Sequence, residues 1–213
     1  EKKKNEINFI DEFNKKWDEN KIVQEPMIYN NINIPFYGGW FVYLGYEIAT
    51  EVEKKLKIPK SPYSLPDAFA ARVNTSIIYD HINKTIILSS DKKNHEQDFE
   101  DILNDLFAPN NIKKNRKGSV KIFSKGTSGE HQAQVKSCID YIYQGEIFQA
   151  NLSRLWRFKS DSKLTDIDVY KQLRKKNPAP FAGIVKFKES SIISSSPERL
   201  ISIFGDHLQT RPI

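Results

Sequence analysis

The sequence lacks the features that mark disulfide-rich, secreted or membrane-spanning proteins. Its 213 residues include a single cysteine, Cys138, so no disulfide can form within the chain. This scarcity favours a reducing, cytosolic compartment. The N-terminal stretch EKKKNEINF is charged and has no apolar segment of the kind found in a signal peptide. The longest apolar run, GGWFVYLGY, is too short to cross a bilayer, so no membrane association is predicted.

Metal-binding and phosphate-binding motifs are lacking as well. The histidines are scattered without metal-ligand spacing or a Ser/His/Asp arrangement, so each is expected to be a surface or turn residue: His81, His95, His131 and His207. The stretch SKGTSG at 124–129 does not match a phosphate-binding loop. The residues themselves therefore predict no cofactor-binding motif and no metal ligand.

Charge of one sign is not concentrated anywhere. The chain has 33 Lys and Arg against 27 Asp and Glu, a net charge of +6, with the two signs interleaved. The densest basic stretches, 113–117 and 174–176, are short and favour a solvated surface over a nucleic-acid interface. A mild positive bias would also suit a small anionic substrate.

Aromatic residues are plentiful, and secondary-structure signals alternate along the chain. The 13 Phe, 9 Tyr and 3 Trp can build a sizeable core. Helical spacing follows a candidate N-cap at Asn8, and a second helix is predicted behind a capping box of Asn94 and Gln97. A third helix should end at Gly145, and a fourth should begin at a capping box of Thr165 and Asp168.

Strand patterns fill most of the remaining sequence. ARVNTSIIYDH and KTIILSSD read as a hairpin, and IFQANLSRLWRF, FAGIVKF, SIISSS and RLISIF read as strands. There is no strict strand–helix alternation. The order therefore predicts an α+β fold with a large, mainly antiparallel sheet or sandwich and peripheral helices.

The last predicted hairpin, RLISIF-GDH-LQTRPI, raises the question of what Glu198 does. A three-residue loop would pair Phe204 with Leu208, and a two-residue loop would pair Phe204 with His207. We prefer the three-residue register because it pairs like with like, although glycine then stands first in the loop. In that register Glu198 faces the first position after Ile213.

Glu198 would then lie in a strand whose two faces are both largely apolar. A carboxylate there is costly unless it is paired or protonated. Desolvation would favour its protonated form and make it a competent general acid. The alternative is that Glu198 pairs with Arg199 at a sheet edge and has no chemical role.

Four motifs in order resemble the chorismate-utilising enzymes: GEIFQANLSRLWRF, NPAPFAG, SSSPERL and TRPI. The stretch PFYGGWFVYLGYE is similar to the family's glycine-rich N-terminal segment. The likeness covers most of the chain from Pro35 onward. Asn151 in FQANLS and Phe181 in NPAPFAG favour the aminodeoxychorismate synthase type of component I over the anthranilate synthase type.

The resemblance implies roles that the residue patterns alone do not. It makes Glu198 the general acid, chorismate the substrate, and ammonia from a glutaminase subunit the nucleophile. It implies Mg²⁺, with ligands in a C-terminal half absent from the chain. It also implies a lysine or an alanine after TRPI. Lysine, which marks the aminodeoxychorismate type, would attack the chorismate ring.

A tryptophan pocket is also implied, lined by Pro180, Phe181 and Ala182. The alternative is a proline-fixed strand entrance with Phe181 in the core. We therefore interpret residues 1–213 as the N-terminal half of a single chorismate-utilising domain, inactive alone. Anthranilate synthase component I is the alternative within the family. A non-catalytic module that binds an amino acid or a glutaminase is the alternative of another class.

Overall fold

The computed structural model describes residues 8–21, 27–30, 32–109, 118–125, 127–160 and 164–212. The chain forms two compact units, Glu1–Asn111 and Ile112–Ile213. Helices and antiparallel strands together confirm the α+β class. The described strands pair two by two in six ladders, and the described residues do not join these ladders into the expected large sheet. That residues 1–213 belong to a single domain stays a prediction.

The described part of the first unit contains three antiparallel ladders, three helices and one 3₁₀ turn. In chain order the elements are α1 (Phe9–Glu19), β1 (Ile28–Tyr29), β2 (Ile32–Asn33), β3 (Gly39–Leu44), the 3₁₀ turn (Tyr46–Ile48), α2 (Ala49–Val52), β4 (Ala68–Val73), β5 (Thr75–Asp80), β6 (Thr85–Ser90) and α3 (Glu96–Phe107). The ladders join β1 to β2, β3 to β4 and β5 to β6.

Helix α1 begins where the sequence predicts. The Asn8 side chain accepts hydrogen bonds from the backbone N–H groups of Ile10 and Asp11, which confirms it as the N-cap. The Glu51 carboxylate accepts two more, at 3.1 Å each, from the N–H groups of Phe9 and Ile10. A carboxylate at this end also complements the positive end of the helix dipole, so α1 is held to α2 by charge as well as by hydrogen bonds.

Few side chains in the described part of the first unit are buried. Among the described residues, the buried apolar side chains are Ile34, Ile48 and Ile87, and Ser89 is the buried polar one. The Ser89 hydroxyl donates to the carbonyl of Phe36 at 2.9 Å, so its burial leaves no polar group unpaired.

The predicted capping box before α3 is wrong. The residue at the N-cap is His95, which makes no side-chain capping bond. The Gln97 amide donates instead to Asp101, one turn further along the helix, at 2.9 Å. A Gln97 side chain that reaches forward to Asp101 does not reach back to the backbone N–H of Asn94, as a capping box requires.

The elements described in the second unit are β7 (Val120–Lys125), α4 (Ser128–Tyr143), β8 (Trp156–Ser160), α5 (Asp166–Lys176), β9 (Phe181–Phe187), β10 (Ser190–Ser196), β11 (Ser202–Phe204) and β12 (His207–Gln209). These strands form three antiparallel ladders, which join β7 to β8, β9 to β10 and β11 to β12. The strand at IFQANLSRLWRF is shorter than predicted, since residues 147–155 lie outside β8.

The helix ends of this unit follow the sequence signals. Thr165 and Asp168 form the predicted capping box at the start of α5. Gly145 follows α4 with a φ of 77°, the left-handed conformation that a glycine cap supplies.

The preferred register of the last hairpin is wrong. Phe204 pairs with His207 and Ser202 with Gln209, so the loop contains two residues, Gly205 and Asp206. Gly205 has a φ of 57°, and Asp206 is not among the residues with positive φ. Glycine at the first of two loop positions is typical of a type II′ turn, which fixes this register.

Candidate functional site

A cleft in the second unit brings the predicted catalytic residue next to two of the predicted pocket residues. Its volume is about 460 Å³. Two prolines and a phenylalanine come from the open end of the β9–β10 hairpin, and three charged residues and a third proline follow β10 and β12. The lining residues are Pro180, Phe181, Pro197, Glu198, Arg199, Arg211 and Pro212.

The β9–β10 ladder explains this juxtaposition. Ser196, the last residue of β10, pairs with Phe181, the first residue of β9. The residues just beyond this end of the ladder, Pro180 on one side and Glu198 on the other, therefore emerge at the same edge. The third predicted pocket residue, Ala182, lies inside the ladder opposite Ser195 and does not line the cleft.

Hydrogen bonds hold α5 and the NPAPFA segment against β10. The Asn177 amide donates to the Ser195 hydroxyl at 3.2 Å, and that hydroxyl donates to the Asn177 carbonyl at 2.5 Å. Nearer the start of α5, the Ser191 hydroxyl donates to Asp166 at 2.6 Å. This bond, together with the backbone N–H of Ile167, holds the pKa of Asp166 below its ordinary value.

Arg199 connects the cleft to the last hairpin. Its guanidinium donates to the side-chain oxygen of Gln209 at 2.9 Å and lies 6.0 Å from the ring centroid of Phe181. Nearby, the Thr210 hydroxyl donates to the carbonyl of Leu200 at 3.1 Å. These contacts fix the loop between β10 and β11, which carries Glu198.

The expectation that Glu198 is a buried strand residue is wrong. The side chain is exposed, and the residue lies in the connection between β10 and β11. The physical reason is Pro197, which has no N–H to donate to a ladder and ends β10. The sequence argument placed Glu198 opposite the position that follows Ile213. Ile213 itself lies outside the described residues. The described residues therefore do not supply the desolvation that the sequence argument required.

The Phe181 side chain is also more exposed to solvent than its interpretation as a core residue required. It is 43% exposed, so the described residues do not place it in a core. With Pro180 it forms an apolar wall of the cleft.

Arg211 is a site residue that the sequence reasoning missed. It was read only as part of the TRPI motif, although its guanidinium gives the cleft a second cation beside Arg199. With Glu198 the cleft carries two positive charges and one negative charge. Arginine binds carboxylates through paired N–H groups, so this lining favours an anionic ligand.

The described residues do not fit a metal site. They contain no group of three or more His, Cys, Asp or Glu side chains placed to hold a metal ion.

Comparison with known proteins now identifies the family. The chain matches the chorismate binding enzyme family over residues 2–213. It belongs to that family. It is 30% identical to the anthranilate synthase component I-like protein of Synechocystis over 85% of this chain, and 27% identical to aminodeoxychorismate synthase component 1 of Escherichia coli over 86% of it. These confirm the resemblance drawn from the four motifs.

A solved structure of the family has the same fold. Anthranilate synthase component I from Streptococcus pneumoniae superposes with a TM-score of 0.64 at 25% identity, over 81% of this chain and 41% of that one. The chain spans 37% and 39% of the length of the two curated relatives named above. No described helix is both long enough and apolar enough to cross a membrane.

Proposed function

We propose that the chain contributes the general acid of aminodeoxychorismate synthase component I to a protein of the family's full length. The observation that carries the proposal is the cleft, in which Glu198 lies beside Arg199, Arg211 and the apolar wall of Phe181. Chorismate has two carboxylates and an unsaturated ring. A cleft that offers two arginines for the carboxylates, one carboxyl group as proton donor and a phenylalanine ring as an apolar wall suits this substrate.

In this proposal Glu198 delivers a proton to the departing 4-hydroxyl of chorismate. The carbon–oxygen bond breaks and the hydroxyl leaves as water. Ammonia, supplied by a glutaminase subunit, forms the new carbon–nitrogen bond at that carbon. The resulting ammonium group loses one proton, which restores the acid form of Glu198. The net reaction converts chorismate and ammonia into 4-amino-4-deoxychorismate and water, with no change of oxidation state.

The two arginines would orient the substrate. Each guanidinium can bind one carboxylate through two parallel hydrogen bonds. Arg199 is already positioned by Gln209 and Phe181, so less side-chain entropy is lost when it binds. The Glu198 side chain is exposed in the described chain, so the proposal requires that the rest of the family-length protein excludes water from the cleft.

Asn151 and Phe181 favour aminodeoxychorismate over anthranilate as the product. Anthranilate synthase component I is the second candidate, supported by the Synechocystis relative and by the solved structure from Streptococcus pneumoniae. A non-catalytic module is the third, since the chain spans well under half of these relatives.

Product analysis separates the three candidates. The chain is expressed within a protein of family length and incubated with chorismate, ammonium and Mg²⁺, the cofactor that the resemblance implies. Aminodeoxychorismate supports the first proposal and anthranilate replaces it with the second. Absence of both products, with a folded protein, would leave only the non-catalytic module.

A matched pair of variants tests the role of Glu198. Glu198→Gln removes the transferable proton and should lower kcat by roughly 10²–10⁴-fold, the usual contribution of a general acid. Glu189→Gln makes the same change at an exposed position in the β9–β10 turn and should leave kcat unchanged. Equal turnover in the two variants would reject the general-acid role.

Tryptophan binding at Pro180, Phe181 and Ala182 is a separate proposal. A ligand that binds only the folded protein raises its melting temperature. We expect tryptophan at millimolar concentration to raise the melting temperature of the family-length protein, and Phe181→Ala to abolish the shift. No shift in the unsubstituted protein would contradict the pocket.

A further inference from the structure

The first unit contains a second cavity that the proposed function does not use. Its volume is about 210 Å³, below the range of pockets that hold drug-sized ligands and suited to a single ring. It is lined by aromatic rings, a pair of glycines and charged or polar side chains: Trp17, Asn20, Lys21, Tyr37, Gly38, Gly39, Trp40, Arg72 and Asp91.

A fixed ion pair forms one side of this cavity. Arg72 donates to the carbonyls of Gly39 and Val73, at 2.6 and 2.9 Å, and to the carboxylate of Asp91. The Asp91 side chain is only 3% exposed and also accepts from the Asn74 amide at 3.0 Å. The guanidinium is therefore held in place, and its charge is neutralised within the wall.

The aromatic walls are also held in place. Trp40 contacts two neighbours: the Arg72 guanidinium lies 5.9 Å from its ring centroid, and the ring of Phe13 lies 5.7 Å away and perpendicular to it. Trp17 packs edge-on against Phe13 at 6.1 Å and is 47% exposed. Two indoles that are fixed by one phenylalanine offer a flat ligand a surface that needs little rearrangement.

Lys21 gives the cavity one surplus positive charge. Its side chain is exposed at the end of α1, and the Arg72–Asp91 pair cancels the other charges of the lining. Aromatic walls with one surplus cation suit a ligand that has one aromatic ring and one negative charge.

We propose that this cavity binds a small aromatic carboxylate. The ring would lie against Trp17 and Trp40, and the carboxylate would point to the Lys21 ammonium. The site is formed wholly by the first unit and does not depend on the proposed chemistry at Glu198.

The three tryptophans of the chain provide a direct assay, because Trp156 belongs to the other unit. The ¹⁵N-labelled chain is titrated with benzoate, and its three indole N–H signals are followed by NMR. We expect saturable shifts of the Trp17 and Trp40 signals and none of the Trp156 signal. Benzamide, which has the same shape without the charge, should bind more weakly. Equal shifts of all three indoles, no shift at tens of millimolar benzoate, or equal affinity for benzamide would overturn the proposal.

Two lysine variants on the same segment test the charge. Lys21→Gln should weaken benzoate binding about twofold to fivefold, the range that a partly exposed charge pair gives. Lys15→Gln changes an exposed lysine of α1 that does not line the cavity and should leave the affinity unchanged. Both substitutions are at exposed positions, so folding should be preserved, which the indole spectrum itself verifies. Equal affinities in the two variants would contradict the role of Lys21.

Discussion

The Arg72–Asp91 pair allows an asymmetric prediction about stability. The two partners differ in exposure, since the Arg72 side chain is 21% exposed and that of Asp91 is 3% exposed. Removing one partner of a buried pair costs about 3–5 kcal/mol, because the other charge is left uncompensated. The cost should be larger when the charge left behind is the one that water cannot reach.

Among the side-chain donors of the described residues, Arg72→Met leaves the Asp91 carboxylate with the Asn74 amide, and it also removes the donors to the Gly39 and Val73 carbonyls. We expect a loss near the upper limit, about 5 kcal/mol. Asp91→Asn leaves Arg72 with both carbonyls and some contact with water, so we expect about 3 kcal/mol. The double variant Arg72→Met/Asp91→Leu removes both charges and should recover part of the loss.

Urea unfolding in a Trp156→Phe background measures the difference, because fluorescence then reports only on Trp17 and Trp40 in the first unit. With a urea dependence of roughly 1–3 kcal/mol per M, the midpoints of the two single variants should differ by roughly 0.7–2 M. Glu19→Gln breaks an exposed pair with Lys16 and serves as the control, with its midpoint nearly unchanged. The reasoning is refuted if Asp91→Asn destabilises the unit as much as Arg72→Met does.

Three further predictions concern the second unit. Thr165→Ala removes the N-cap of α5 and should lower the free energy of unfolding by about 1 kcal/mol, measured by urea denaturation. Ser191→Ala should raise the pKa of Asp166, which NMR titration of the carboxyl carbon measures. Because folding lowers this pKa, Asp166 contributes stability above its unfolded-state pKa, and that stability is lost as pH falls through the folded-state pKa. The variant should therefore lose less stability over this pH range than the unsubstituted chain does. Gly145→Ala should lower the free energy of unfolding by about 1–2 kcal/mol, because Gly145 has a positive φ. Gly183→Ala should raise it by up to about 1 kcal/mol, because Gly183 lies in a strand with open space around it. Thermal unfolding compares the two variants.

Local signals of the sequence predicted local structure well. The N-cap at Asn8, the capping box of Thr165 and Asp168, and the glycine cap at Gly145 all occur where the sequence places them. Each depends on a few neighbouring residues. Gln97 failed the same kind of prediction because a second partner, Asp101, was within reach on the same helix face.

The motifs predicted the family, and the β9–β10 ladder then explains why two of them meet. NPAPFAG and SSSPERL are close in sequence, but only the pairing of Phe181 with Ser196 shows that their functional residues share one edge. The contribution of Arg211 could not be found by the same route, because its place in the cleft depends on how the chain leaves β12.

The burial of Glu198 failed as a prediction because it assumed one uninterrupted strand from residue 198 to residue 204. Alternation assigns faces only while the ladder continues, and the β11–β12 ladder stops at the pair of Ser202 and Gln209, four residues short of Glu198. The loop also contains two residues and not the three that we preferred, so the pairing of β12 with β11 shifts by one residue. A shift of one residue moves the side chains of β12 to the opposite face of the ladder. The position of Glu198 is therefore set by side-chain bonds, namely those of Arg199 to Gln209 and of Ser196 to the Glu198 carbonyl, and not by strand parity.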